Sequence, residues 1–169
     1  MAGISAKDSG QAVVVYLAAY LLMTLLSFLV LVIVSTHGGG DEIAQFNGLS
    51  KRSPFLAFAL LVAMMSLAGV PLTAGFLGKF YVLAAGASQS RWLLLFTLII
   101  SSTIGLFYYL RIVVAMFSQP TEWTAAQENL PVTLPTAVAL AVLTALVFLL
   151  GIYPAPLWGL IANATHNLS

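Results

Sequence analysis

The apolar positions of this chain run in long unbroken blocks, with neither the alternation of a half-buried strand nor the single stripe of a surface helix. From Gln11 to Ser35, QAVVVYLAAYLLMTLLSFLVLVIVS, no charged residue interrupts. Similar blocks run from about Phe55 to Ala85, from Trp92 to Phe117 and from Pro135 to Tyr153. Each is long enough to cross a bilayer as a helix. Polar punctuation separates them. THGGGDE follows the first block, KRSP opens the second with Pro54 near its first turn, and GASQSR divides the second from the third. A polar loop from Ser118 to Leu134 precedes the fourth, which closes at YPAP, and a short, mildly polar tail follows from Leu157 to Ser169. The pattern predicts an all-α integral membrane protein. Residues 1–169 form a single region of four transmembrane helices, running alternately up and down.

The second block is unlike the others. Its thirty-one residues would make a straight helix about 46 Å long at ~1.5 Å per residue. The hydrocarbon core is only about 30 Å thick. Within it, AGVPLTAGFLGKFYVL, Ala68 to Leu83, carries a proline, three glycines, a threonine and a lysine. Pro71 has no N–H to donate and clashes with the preceding turn. A discontinuous helix is therefore predicted, with Gly69, Pro71, Thr73, Gly75 and Gly78 assigned to the break. Irregular backbone at membrane depth is tolerated only where protein or a wet cavity satisfies it, and such helices often lie at transport sites.

Lys79 follows the break. An ionisable side chain inside a span is a functional candidate, because desolvation disfavours the charged form of a buried amine and lets it exchange a proton. The competing reading is a lysine that snorkels to the headgroups from near a helix end. Other polar positions share helical faces. Tyr16, Tyr20, Thr24 and Ser27 do so in the first span, and Ser101, Gly105, Tyr108 and Tyr109 in the third. Small and hydroxyl residues often mediate helix contact in lipid. The functional alternative is a hydrated path beside Lys79 through Tyr16, Tyr20, Ser101, Tyr108 and Tyr109. Arg111 reads as an interfacial anchor or a functional cation.

Composition supports the membrane reading. The chain is 61% hydrophobic and 7% charged, against about 25% charged residues in a soluble domain. A net charge of +1 leaves no basic face for nucleic acid. Lys51, Arg52 and Arg111 on one side against Lys7 and Arg91 on the other weakly place the termini away from the cytoplasm. There is no cysteine, and His37 and His166 lie apart and outside the apolar blocks, so no metal site is expected. The acids Asp8, Asp41, Glu42, Glu122 and Glu128 all fall outside the spans. No phosphate-binding loop or bond-breaking constellation is present. MAGISAKDSG is not a signal peptide. The glycosylation patterns at Asn163 and Asn167 are read as chance matches.

SLAGVPLTAGFLGKFYVL resembles the broken helix near the C-terminal end of the proton-translocating membrane-arm subunits of respiratory NADH:quinone oxidoreductase (complex I). These subunits are similar to cation/proton antiporter subunits. Within the group, Gly78-Lys79-Phe80-Tyr81 is similar to the subunit N (subunit 2) branch. VVVYLAAYLLMTLLSF, SSTIGLFYYLRIVVAMF and LLGIYPAPL resemble the flanking family helices, in the same order. The buried glutamate–lysine pair and further lysine of the family's earlier helices are absent, so the chain is expected to be a C-terminal fragment, from a truncated gene or from a partial reading frame in which Met1 would be an internal methionine, or else a subunit encoded in pieces. The resemblance implies proton translocation coupled to quinone reduction elsewhere, with Lys79 as the terminal carrier toward the periplasmic side. It implies no cofactor on this chain, with NADH and quinone used on other subunits. The implied partners are the other membrane-arm subunits, the missing N-terminal part and the lipid of a bacterial inner membrane. A redox-independent antiporter subunit or a membrane-arm scaffold are the alternatives.

Overall fold

The computed structural model describes residues 6–38, 42–88, 90–119, 130 and 132–153, with no side-chain detail for residues 6–12, 37 and 38. The loop acids Asp41, Glu122 and Glu128, the tail, His166, Asn163 and Asn167 lie outside the described residues, as do the side chains of Lys7, Asp8 and His37. Every regular element among the described residues is helical: α1 (Ala6–Gly38), a 3-10 turn (Ile43–Phe46), α2 (Leu49–Arg52), α3 (Pro54–Ala68), α4 (Ala74–Ser88), α5 (Trp92–Phe117) and α6 (Leu134–Ile152). Val13–Thr36, Trp92–Phe117 and Leu134–Ile152 are each long and apolar enough to cross a membrane. Helices α3 and α4, of 15 residues each, divide the second predicted span between them.

Helix α1 runs past Ser35 into the stretch predicted to be loop. Ser35 and Thr36 make this possible by turning their hydroxyls onto the helix: Ser35 Oγ donates to Val32 O at 3.3 Å and Thr36 Oγ1 to the same carbonyl at 2.8 Å. The polar segment before the second span is ordered too. Gly48 N–H donates to Ala115 O (3.3 Å), Lys51 Nζ to Gln119 Oε1 (3.0 Å) and Ser118 Oγ to Asn47 Oδ1 (3.2 Å). These contacts put the end of α5 beside the connection that precedes α3, as alternating crossings require.

Helix α3 is the centre of the bundle. Its residues are buried on nearly every side, from Leu56 to Leu67, whereas α1 buries one stripe: Val15, Ala19, Met23, Leu26 and Val30. Helix α6 buries Leu140, Thr144, Val147 and Gly151. Helix α5 buries only Ala115 and Met116, at its end, and turns Leu93, Phe96, Phe107 and Val114 outward. Hydrocarbon can solvate such a face at no cost, since every backbone group of the helix is bonded internally.

The break falls at Gly69–Thr73. Gly69 takes the left-handed conformation, φ 87°, and its N–H reaches Met65 O (3.1 Å) and Ser66 O (3.0 Å) while Val70 N–H also reaches Met65 O (3.0 Å). Glycine ends helices this way without a Cβ penalty. Pro71 cannot donate to Leu67 O, four residues back. Leu72, φ 76°, is a left-handed non-glycine residue, a strained conformation that its surroundings must hold. Thr73 Oγ1 donates to Val70 O at 2.7 Å and closes the turn. Gly75 and Gly78 do not belong to the break: both lie inside α4 as close-contact positions, Gly75 against Ser66 and Met23, Gly78 against Tyr16. Glycine served here as a sign of irregular backbone, but at these two sites it permits helices to touch.

Gly151 of α6 holds the other side of the break. A Cβ there would press on the Leu72 carbonyl and lie 2.6 Å from Thr73 Cα. Gly151→Ala is expected to destabilise the fold by about 2 kcal/mol, as overpacking against backbone does. Thermal unfolding of the purified protein in detergent checks this, and an unchanged midpoint would show that the turn yields freely.

Candidate functional site

Where α3 stops, its last carbonyls have no helical partner. Those of Met65 and Ser66 are taken by Gly69 and Val70. Those of Leu67 and Ala68 are taken by a side chain: Lys79 Nζ donates to Leu67 O at 2.8 Å and to Ala68 O at 3.3 Å. Pro71 is the reason the first of these is open. The lysine lies in the second turn of α4, and side chains on a helix lean toward its N-terminus. Lys79 therefore runs back over the break. Gly69 leaves room for it, since a Cβ there would stand 3.2 Å from Lys79 Cδ. The ammonium thus sits at the negative end of a half-helix, where a cation is favoured.

Two cavities meet at Lys79. The first, about 130 Å³, is lined by Tyr16 and Tyr20 of α1 and by Ser101, Ser102, Gly105 and Tyr109 of α5. The Tyr16 and Tyr20 rings lie 6.1 Å apart. The second, about 300 Å³, is more apolar and opens between α4 and α5 past Phe76, Phe80, Leu83, Ser102 and Thr103. Lys79, Leu98 and Ser102 line both. Among the described residues no carboxylate lines either cavity. Among the described residues no cluster of metal-ligating side chains occurs.

Four of the five residues assigned to a path beside Lys79 are brought together: Tyr16, Tyr20, Ser101 and Tyr109. Tyr108 is not. It is exposed and packs edge-on against Phe107 at 5.5 Å between centroids, because it lies about 100° around the helix from Tyr109. Thr24 is turned inward, its Oγ1 buried without a partner among the described residues, and Ser27 lines a separate apolar groove with Phe28 and Leu60. Arg111 is exposed and lines neither cavity. The sequence reading missed Ser102 and the two carbonyl acceptors. The spacing from Leu67 to Pro71 is the signal that one carbonyl would be left open.

The family described as NADH:quinone oxidoreductase/Mrp antiporter, transmembrane, matches residues 1–105. The chain is 41% identical over 166 residues to NADH-quinone oxidoreductase subunit N of Ectopseudomonas mendocina strain ymp, covering 91% of this chain and 32% of that protein. It is 38% identical over 164 residues to NADH-quinone oxidoreductase subunit N 2 of Herpetosiphon aurantiacus, covering 96% and 30%. Among solved structures it is similar to a chain of respiratory complex I from Thermus thermophilus with bound aureothin, at TM-score 0.75 and 32% identity, over 88% of this chain and 34% of that one. The chain spans about a third of the length of these relatives.

Proposed function

Because the chain belongs to the NADH:quinone oxidoreductase/Mrp antiporter transmembrane family, we propose that it is the C-terminal part of a subunit-N-type, proton-translocating subunit of complex I, with Lys79 as its proton carrier. The observation that carries this reading is the Lys79 ammonium held on the open carbonyls of the broken helix, at the wall shared by two cavities. Opposing influences act on its charge: the carbonyl end of α3 favours a cation, and the apolar surroundings disfavour one. Among the described residues no carboxylate lines the cavities to lock the charge, so both protonation states are within reach. A like charge brought near would expel the proton, and its withdrawal would let the amine reload. The tyrosine and serine hydroxyls of the smaller cavity supply partners for the water that would carry it.

In this reading NADH and quinone react on other chains, and this chain holds no redox cofactor. Its partners are the other membrane-arm subunits, the remainder of a longer subunit, and the lipid of a bacterial inner membrane. The family also covers antiporter subunits, which exchange cations for protons without redox coupling. Inverted membrane vesicles separate the two. Proton uptake started by NADH and abolished by a quinone-site inhibitor supports the complex I reading. Uptake started by an imposed sodium gradient without NADH supports the antiporter.

The hydroxyl path has its own test. Tyr109→Phe is expected to slow proton uptake about fivefold, equivalent to one hydrogen bond of about 1 kcal/mol. Tyr108→Phe is expected to change nothing, since its ring faces outward. Equal rates in both variants would remove the tyrosines from the path.

A further inference from the structure

Polar contacts join α3 to α4 across the break in two places, one helical turn apart. In the first, Gly75 N–H donates to Ser66 Oγ at 3.1 Å, and the Ser66 hydroxyl donates to Met23 Sδ of α1 at 2.7 Å. In the second, Lys79 donates to Leu67 O and Ala68 O. Gly75 and Lys79 are four residues apart, so they share one face of α4. Their acceptors are consecutive in α3. The two contacts therefore act as neighbouring rungs between the same helix faces.

Ser66 is fully buried and is the single polar side chain of α3. A hydroxyl inside a helix commonly bonds back to its own preceding turn. Thr97, Ser101 and Thr103 of α5 all do so. Ser66 reaches across instead, and supplies the acceptor that one of the first amides of α4 lacks within its own helix.

We infer that Ser66 is a positioning residue for Lys79: its bond to Gly75 fixes the register of α4 on α3, and that register sets the ammonium on the two open carbonyls. The inference rests on the reading of Lys79 as the proton carrier. Among the described residues, the titratable groups facing the lysine are Tyr16 and Tyr20 from α1 and Tyr109 from α5. Helices α3 and α6 contain none, and α4 itself adds Tyr81. A change in the pH profile on altering Ser66 would thus report on the lysine and these tyrosines.

The test compares Ser66→Ala, Ser66→Cys, Lys79→Ala and the Ser66→Ala/Lys79→Ala double variant in the assembled complex. NADH-driven proton uptake by inverted vesicles is followed from neutral to alkaline pH. Ser66→Ala is expected to lower the rate about threefold to fivefold, as loss of one polar contact does, and to displace the pH profile. Ser66→Cys is expected to fall between it and the native protein, because a thiol accepts only weakly. The double variant is expected to be no slower than Lys79→Ala, the non-additivity of residues acting through one another.

A native rate and pH profile in Ser66→Ala, alongside an impaired Lys79→Ala, would overturn the inference and leave the lysine's role standing. Additive losses in the double variant would overturn it too. So would loss of the assembled complex in both Ser66 variants, since Ser66 would then serve the fold and not the lysine. An unimpaired Lys79→Ala would instead remove the carrier reading itself.

Discussion

Lys79→Ala is expected to reduce NADH-driven proton uptake by roughly tenfold to a hundredfold, with the subunit still present in the complex. The low end of what a positioned acid–base group contributes sets that figure. Assembly should survive because both residues whose carbonyls are left behind border a cavity, Leu67 that of about 130 Å³ and Ala68 that of about 300 Å³. Water, at about 30 Å³ per molecule, can enter and bond to them. Lys79→Arg separates carrier from scaffold. An arginine can span to the same carbonyls and keep the half-helix end neutralised, but it does not give up its proton. Uptake should therefore stay as low as in the alanine variant. If arginine restores uptake, a fixed positive charge is all the site requires. Normal uptake by an assembled Lys79→Ala variant would end the proton-carrier assignment.

The second large effect is on the fold. Gly75→Ala would drive a methyl group into the backbone carbonyl of Ser66, with Met23 Sδ only 2.9 Å from the new carbon. The Met23 side chain can change rotamer, but the α3 backbone cannot step aside without moving the helix. Separating α3 from α4 breaks the Ser66–Gly75 bond and lifts Lys79 off its carbonyls. A loss of about 3 kcal/mol is expected, the upper end for overpacking, with little subunit recovered in membranes. Gly78→Ala is the control. Its Cβ would meet Tyr16 Cδ2 at 3.0 Å and Tyr16 Cα at 3.2 Å. The ring can rotate away and the backbone needs to give only slightly, so about 1 kcal/mol is expected. Equal recovery of the two variants, by immunoblot of membranes and by thermal unfolding in detergent, would show that the two half-helices are not in close register.

The same glycines show where sequence reasoning reached its limit. The sequence assigns Gly69, Pro71, Thr73, Gly75 and Gly78 to one break. The structure divides them by role. Gly69 takes a positive φ and Pro71 leaves a carbonyl open, whereas Gly75 and Gly78 are helical and small because other helices touch them. Propensity cannot tell these uses apart, since close approach depends on residues far away in the chain. Tyr108 and Tyr109 present a similar case. Adjacent residues on a helix point in different directions, and only the packing of α5 on α3 and α4, with α1 across the cavity, shows which of the two faces it.

What the sequence determined by itself was local. Apolar blocks of a given length placed the membrane helices, Pro71 and Gly69 placed the interruption, and Gly78-Lys79-Phe80-Tyr81 with its flanking helices pointed to the family. Helix length, backbone hydrogen bonding and turn chemistry act over a few residues, so they can be read along the chain. The partners of Lys79 were decided only by tertiary structure. Leu67 O and Ala68 O are backbone atoms with no signature of their own beyond the proline that opens one of them. Ser66 gains its role by reaching α4 and α1 at once. Which open carbonyls meet the ammonium is fixed by the register of the two half-helices, and contacts made across the break, such as Gly75 N–H on Ser66 Oγ, hold that register.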